Sequence, residues 1–412
     1  MADFYVDVVN GASSNNGSSP STPKQLISQA TFSAGNRVFL KRGQVHPVGA
    51  YRFMQSNMVL DAYGQGPIPL LQKTAGPDAW IYVQNASNVI LRNFAVDGNG
   101  FNGPLVALAA GSGHTINNVL IDNVELFNSP NQIGLFINGG SGGIVRNVIV
   151  KNSVSHDNYS HGFQCSTDTQ NIYYINCKAY RNGLGVGAHG FTSRSATTTA
   201  PTFIYYINCE AYGILDYDGI EGAGFQADDN STSISFLGCY SHDNAGAAFV
   251  MNLSTNNIVS GCVGVRNQKP GVYITNVSPG NSIYHSLFYD NCRKAVFSGT
   301  SEIYASSASA INSIVSNNII KKGPNNSITT GISFADATGN TGSTNLVHGF
   351  DTVSSNITLS KSITSDPLLN AELNGVLANS PTLDAGTLLV PYQKDNRANR
   401  IRKATPNIGP WQ

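Results

Sequence analysis

Two histidines, an arginine and a run of carboxylates crowd the middle third of this chain. His161 and His189 each precede a glycine, in Ser160-His-Gly162 and Ala188-His-Gly190, and Arg194 follows shortly after the second. Asp216, Asp218, Glu221, Asp228 and Asp229 come within the next forty or so residues. Such a set supports two reactions. Paired carboxylates, with Asp218, Glu221 and Asp228 as the candidates, protonate a glycosidic oxygen and activate water or attack the anomeric carbon. Alternatively, Arg194 neutralises an acidic substrate while His189 or His161 removes the neighbouring proton. A calcium ion held by the acidic cluster could replace the arginine in that role. The polar residues Gln164, Thr192 and Gln226, with Asp216 and Asp229, are the candidate substrate contacts.

A repeated scaffold must bring these groups together. Asn93, Asn123, Asn152, Asn176 and Asn208 recur every 24 to 32 residues or so, each ending a short apolar phrase such as Asn118-Val-Leu-Ile-Asp-Asn123. Later copies put Gly238, Gly261 and Asn317 at that position. Asn tolerates the left-handed backbone of a sharp bend, and its amide can bond the next Asn when coils stack one strand spacing apart, about 4.8 Å. The next residue runs Phe94, Val124, Ser153, Cys177, Cys209, Cys239, Cys262, an interior column. A second column, Asn158, Asn182, Asn244, Asn267 and Asn291, closes the following short strand. A third strand is seen in Gly134–Ile137, Gly162–Cys165, Gly190–Ser193, Gly224–Ala227, Gly271–Ile274 and Ala295–Ser298. The expected fold is therefore all-β: a right-handed, single-stranded parallel β-helix with three strands per coil and Asn ladders. A Pro-started helix over Thr22–Ala34 would cap the open first coil.

One elongated domain is expected, with residues 1–84 as cap and first irregular coils, 85–325 as regular coils carrying the groove, and 326–412 as last coils and a strap. Two long turns, Arg194–Pro201 and Gly213–Gly222, flank the same third-strand face and wall off a site. Other ionisable groups read as structural. Asp157 and Arg181 align in neighbouring coils as a surface ion pair, and His156 and His242 repeat in Ser-His-Asp-Asn phrases at a bend.

Formal charge is zero and charged residues make up 12% of the 412-residue chain, which leaves no basic field for nucleic acid. No apolar run approaches the roughly 20 residues a membrane span needs. Met1-Ala-Asp-Phe-Tyr5 lacks a leader pattern, which fits a secreted protein whose signal is absent or a phage virion protein. Of six cysteines, the four in the interior column and Cys165 read as buried free thiols, Cys292 lies near a bend and is open either way, and no spacing suggests zinc.

Phe4–Gly11, Asn16–Pro23, Gly35–Gly43, Ala62–Gly66, Ser380–Gly386 and Asn407–Trp411 resemble the opening and closing phrases of pectate-lyase-like right-handed β-helix proteins, including secreted bacterial and phage tailspike-type members. The resemblance implies a polysaccharide partner laid along a groove on the helix flank. Ala188-His-Gly-Phe191 is similar to a histidine–glycine element of β-helix galacturonan hydrolases, and the paired aspartates that precede that element there are missing. The expected function is a polysaccharide-degrading lyase or glycoside hydrolase. A non-catalytic glycan-binding tailspike or adhesin module and a uronate epimerase are the alternatives. Oligomeric state stays open, a trimer included.

Overall fold

The computed structural model describes residues 2–49, 52–73, 81–99, 103–140, 142–185, 187–195, 197, 199–215, 221–294, 300–387, 394–395, 400–401 and 406–411. It forms two compact units, Met1–Val186 with Ser195–Thr202, and Gly187–Arg194 with Phe203–Gln412. Each is built of parallel coils, and helix is limited to one short 3-10 turn among the described residues.

In the first unit, first strands pair in register from Asp3–Val6 and Arg37–Lys41 onward, through Val59–Tyr63, Val89–Asp97 and Thr115–Phe127 to Ile144–Lys151 and Thr169–Ile175. Third strands Val106–Ala109, Leu135–Asn138 and Phe163–Cys165 pair alongside. In the second unit the third-strand sheet runs from Phe191–Ser193 through Phe225–Ala227, Phe249–Asn252, Val272–Thr275 and Ser301–Ala305 to Thr330–Phe334 and Thr352–Ser355. The expected strand Ala295–Ser298 lies outside the described residues. Ser301–Ala305 is the strand that pairs after Val272–Thr275. Inward alternation stacks Phe191 on Phe225 and Phe225 on Phe249, with centroids 4.9 and 5.3 Å apart. Each such ring contributes roughly 2–3 kcal/mol by leaving water.

The bends follow the expected left-handed geometry, with φ of 60° at Asn93, 54° at Asn123 and 53° at Asn176. That column nevertheless faces outward. Asn123, Asn152, Asn176 and Asn208 are exposed, and its bonding is irregular: Asn123 Nδ2 donates to Asn93 at 2.9 Å, but Asn152 donates to Asp122 instead. The second column carries the interior ladder. Asn158, Asn182, Asn244, Asn267 and Asn291 are all fully buried. Asn244 donates both its N–H and its Nδ2 to Asn267 Oδ1 at 3.1 and 2.9 Å, and Asn267 does the same to Asn291 at 3.0 and 2.8 Å. Glu302 ends this row, accepting the N–H and Nδ2 of Asn291 at 3.0 and 2.7 Å.

The first-bend interior column takes the same form with other acceptors. Cys239 N–H donates to Cys262 Sγ, Cys262 N–H to Ser286 Oγ, Ser286 N–H to Asn318 Oδ1, and Asn318 to Asn345. All six cysteines are buried and free, Cys292 included.

The expected helix over Thr22–Ala34 is replaced by the 3-10 turn Ile27–Gln29. Lys24 explains the difference. Its backbone is tied to the first strand, N–H to Tyr5 O and O from Asp7 N–H, so the chain is extended where the helix would begin. Gln29 Oε1 then accepts the N–H groups of Gln25 and Leu26, closing the single turn. At the other end of the chain, Ile363, Leu369, Leu373, Val376 and Trp411 pack on the outward face formed by Val263, Leu287, Ile319 and Leu346.

Replacing Asn267 by Ala strands the Asn244 N–H in the interior, and urea unfolding should show a loss of about 2–4 kcal/mol, against under about 1 kcal/mol for Asn123→Ala. Equal losses would remove the interior ladder's special role. Burial pushes the Glu302 carboxyl up to about 8 from 4.5, against its bonds from Asn291. Protonation therefore favours the folded state. The linked stability is fully present below about pH 4.5 and is lost as the pH rises to about 8, roughly 4–5 kcal/mol in all. Glu302→Gln should flatten the stability profile over that window.

Candidate functional site

The third-strand sheet of the second unit presents its outward column as Thr192, Gln226, Val250 and Tyr273, in register one coil after another. The inward phenylalanines fix this alternation. Ala223, Ala247 and Val250 are small or short, and they form an apolar floor against which Tyr273 packs. A cleft of about 390 Å³ opens over that floor, with His189, Glu221, Gln226, Lys269, Asn252 and Asn276 as its polar lining.

Turns place the ionisable groups. Gly190 N–H donates to Ala223 O and Gly222 N–H to Ala188 O, binding the segment before one third strand to the segment before the next. His189 is thereby held with 2% of its surface exposed. Its Nδ1 accepts the Ala223 N–H at 3.3 Å and its Nε2 lies 2.5 Å from Glu221 Oε2. A ring nitrogen that accepts carries no proton, so this geometry selects the neutral tautomer with the proton on Nε2, donated to Glu221. His189 thus orients the Glu221 carboxylate. Lys269 is buried, and its Nζ donates to Glu221 O at 3.1 Å. One residue therefore receives an imidazole on its side chain and an ammonium on its backbone.

Asp228 stands just behind the cleft's rim. Asn252, which lines the cleft, donates Nδ2 to Asp228 Oδ1 at 2.5 Å, and Asn276 Nδ2 donates in turn to Asn252 Oδ1 at 2.5 Å. The Asp229 N–H also falls on Asp228 Oδ1, at 2.8 Å. Burial, reinforced by the Asp229 charge, holds the Asp228 carboxyl above the ordinary aspartate range, while the Asn252 hydrogen bond and the Arg194 charge pull the other way. Arg194 Nη2 meets Asp229 Oδ2 at 3.0 Å, more exposed, at the strand ends.

The expected site residues divide accordingly. His189, Glu221 and Gln226 line the cleft, with Asp228 one hydrogen bond behind it and the Arg194–Asp229 pair nearby in the same unit. Thr192 is fully buried and donates to Gln226 Oε1 at 3.3 Å, so it supports Gln226 from below. His161 and Gln164 are nearly buried residues of the first unit, where the His161 carbonyl accepts the Gly134 N–H and Gln164 pairs in register with Phe136. Asp216 and Asp218 lie outside the described residues. Among those described, no three His, Cys, Asp or Glu side chains are arranged to hold a metal ion, and no step is assigned to calcium.

Lys269, Asn252, Tyr273 and Asn276 were not singled out by the sequence. Asn252 had a signal, since Phe249-Val-Met-Asn252 aligns with Phe225-Gln-Ala-Asp228. Lys269 had none beyond its place in a turn before a third strand.

The Ser-His-Asp-Asn phrases, by contrast, build the same structural clamp twice. His156 lies 3.0 Å from Glu125 and 2.6 Å from Asp157, stacked between Phe127 and Tyr180. Burial opposes charge on this ring, and the two carboxylates more than offset it, raising its pKa. Arg181 donates twice to Asp157, the expected ion pair. His242 repeats the arrangement with Glu210, Asp243 and Arg266.

The chain matches no family model and no curated relative. Solved structures do match. The A-module of the Azotobacter vinelandii mannuronan C-5 epimerase AlgE6 aligns at 19% identity and a TM-score of 0.66, covering 81% of this chain and 91% of its own. The complex of XylC with xylose aligns at 8% identity and a TM-score of 0.61, over 99% of this chain and 94% of that one. Pectate lyase Pel9A aligns at 16% identity and a TM-score of 0.53, over 100% and 96%. The fold is a right-handed parallel β-helix. At these identities the likeness establishes architecture, and the chemistry must come from the cleft.

Asp228→Asn keeps an acceptor for Asn252 and removes a buried carboxyl. Because the folded pKa is raised, the stability linked to Asp228 is present at low pH and is lost as the pH rises through that folded value. Thermal melting should therefore show Asp228→Asn gaining on the parent as the pH is raised from 4 to about 7. A constant gap across that range would contradict the assignment.

Proposed function

We propose that the cleft of the second unit binds an acidic polysaccharide and that the chain acts on it by removing the proton beside a uronate carboxylate, as a lyase or an epimerase. The observation that carries this reading is the buried Lys269 ammonium sharing one cleft with a Glu221 carboxylate oriented by His189. Proton abstraction next to a carboxylate places negative charge on its oxygens. Lys269 and the amides of Asn252 and Asn276 are the donors on the cleft lining that would face that charge. Glu221 is the base, and the Tyr273 phenol on the cleft wall is the acid. In elimination the C5–H and C4–O bonds break, C4=C5 forms, the proton goes to Glu221, and the leaving oxygen takes a proton from Tyr273. In epimerisation Tyr273 instead returns a proton to C5 from the other face. Asp228 acts on the site through Asn252 and is a positioning residue. The fold shared with mannuronan C-5 epimerase modules and a pectate lyase supports this reading.

Hydrolysis needs two carboxyl groups facing the substrate. Among the described residues Glu221 is the carboxylate lining the cleft, with Asp228 behind Asn252. A pure binding module needs no oriented carboxylate at all.

Mannuronan and polygalacturonate incubated with the protein in deuterated water separate these outcomes. Ultraviolet absorbance of an unsaturated uronate marks elimination, and deuterium at C5 without scission marks epimerisation. Glu221→Gln and Lys269→Met should each lower kcat by about 10²–10⁴ with the melting temperature retained. New reducing ends lacking that absorbance would establish hydrolysis instead, and retention of the polymers without turnover would establish a binder.

A further inference from the structure

The outward column of the third-strand sheet continues past the cleft. Tyr273 pairs with Tyr304, Tyr304 with Ser333, and Ser333 with Ser355. The two tyrosine rings are parallel within 2°, with centroids 5.7 Å apart. The pair forms an aromatic partition in the outward column, between the cleft and the coils that follow. On one side it borders Val250 and the cleft floor. On the other, the column drops from a phenol to two hydroxymethyl groups, Ser333 and Ser355, whose oxygens bond each other at 2.8 Å. Tyr304, Ser333 and Ser355 are all partly exposed. The backing is firm, because the residues flanking Ser333, Ile332 and Phe334, point into the core. The Tyr273 ring is held at its outer end, where Ser306 Oγ lies 3.3 Å from the hydroxyl and 3.1 Å from Thr275 Oγ1.

We propose that this step is a second carbohydrate-binding ledge, in which one sugar unit of the polymer lays its C–H face on the Tyr304 ring and its hydroxyls over Ser333 and Ser355. The chemistry matches on both surfaces. A pyranose has an apolar face that suits an aromatic ring and a hydroxylated edge that suits serine oxygens. A sugar unit is also about as long as the spacing between coils, so a polymer lying along the sheet meets the cleft and the ledge in sequence. The inference rests on the glycan-binding reading of the cleft and adds a length requirement to it. Short substrates fill the cleft alone, whereas long ones cross the tyrosine partition and gain the ledge.

The test compares long-chain and trimeric forms of mannuronan and of polygalacturonate. Tyr304→Ala should raise KM for the long polymer by about five- to tenfold, leave kcat unchanged and leave trimer kinetics unchanged. Ser333→Leu, which fills the ledge without touching Tyr273, should do the same and covers the case in which Tyr304→Ala fails to fold. Affinity electrophoresis in gels containing each polymer gives a readout that does not depend on turnover, with both variants migrating faster than the parent. Equal effects on polymer and trimer, or parent-like kinetics and migration in Ser333→Leu, would overturn the ledge while leaving the cleft's function intact. A parent protein that neither retards in the gels nor turns over either polymer would overturn the glycan-binding reading, and the ledge with it.

Discussion

A hydrogen bond between one buried side-chain amide and the backbone of the preceding coil is the constraint on which the interior depends. At the second bend of the coils that carry Asn158, Asn244 and Asn267 the chain turns inside an apolar core, and the N–H at the turn is met by a side chain of the next coil. A buried N–H left unpaired costs about 1–3 kcal/mol. Asn267 solves this for Asn244, and Asn291 solves it for Asn267, with the same oxygen also taking the neighbour's amide. The bond explains an otherwise unfavourable backbone. The residue before each ladder Asn is left-handed, including Arg181 and Arg266 at φ of 49° and 58°, where a side-chain-bearing residue loses about 1–2 kcal/mol. Their guanidinium groups recover part of it by clamping Asp157 and Asp243.

A row of this kind must stop somewhere, and its ending is chemically different. The last amide finds Glu302, which must stay largely neutral to be tolerated in the interior. The row on the third-strand flank, Asn276 to Asn252 to Asp228, also begins at an acid, and this second acid is the one beside the cleft. The same device therefore serves two purposes: deep in the coil it terminates a structural row, and at the surface it fixes the orientation of the amides that line a pocket. The cleft's apolar floor follows from equally local choices, since Ala223, Ala247 and Val250 replace the larger side chains that would fill the space.

Repeats with a fixed phrase were legible because each coil solves the same turn problem with the same residue. The phrases around Asn123 and Asn152 located the bends, and Phe163, Phe191 and Phe225 located the third strands to the residue. Periodicity alone did not tell which Asn column lay inside, because a left-handed bend requires Asn equally whether its amide points to solvent or to the core. The helix expected near Thr22 was lost to a long-range pairing, that of Lys24 with the first strand, which no local pattern reveals. In the site, His189, Glu221 and Gln226 were found because two lengthened turns border them. Lys269 was missed because its position depends on how the turn after Asn267 folds toward Glu221, a contact 48 residues away in sequence.

The groups that line the cleft belong to turns and outward positions, while the interior amide row and the inward phenylalanine stack occupy other positions of the same coils. Selection can therefore act on the two sets almost independently. Changes among Glu221, Lys269 and Tyr273 would reshape the cleft without loosening the coil. Proteins of this build can share the coil with little shared sequence, as the 8% identity and 0.61 TM-score with the xylose complex illustrate.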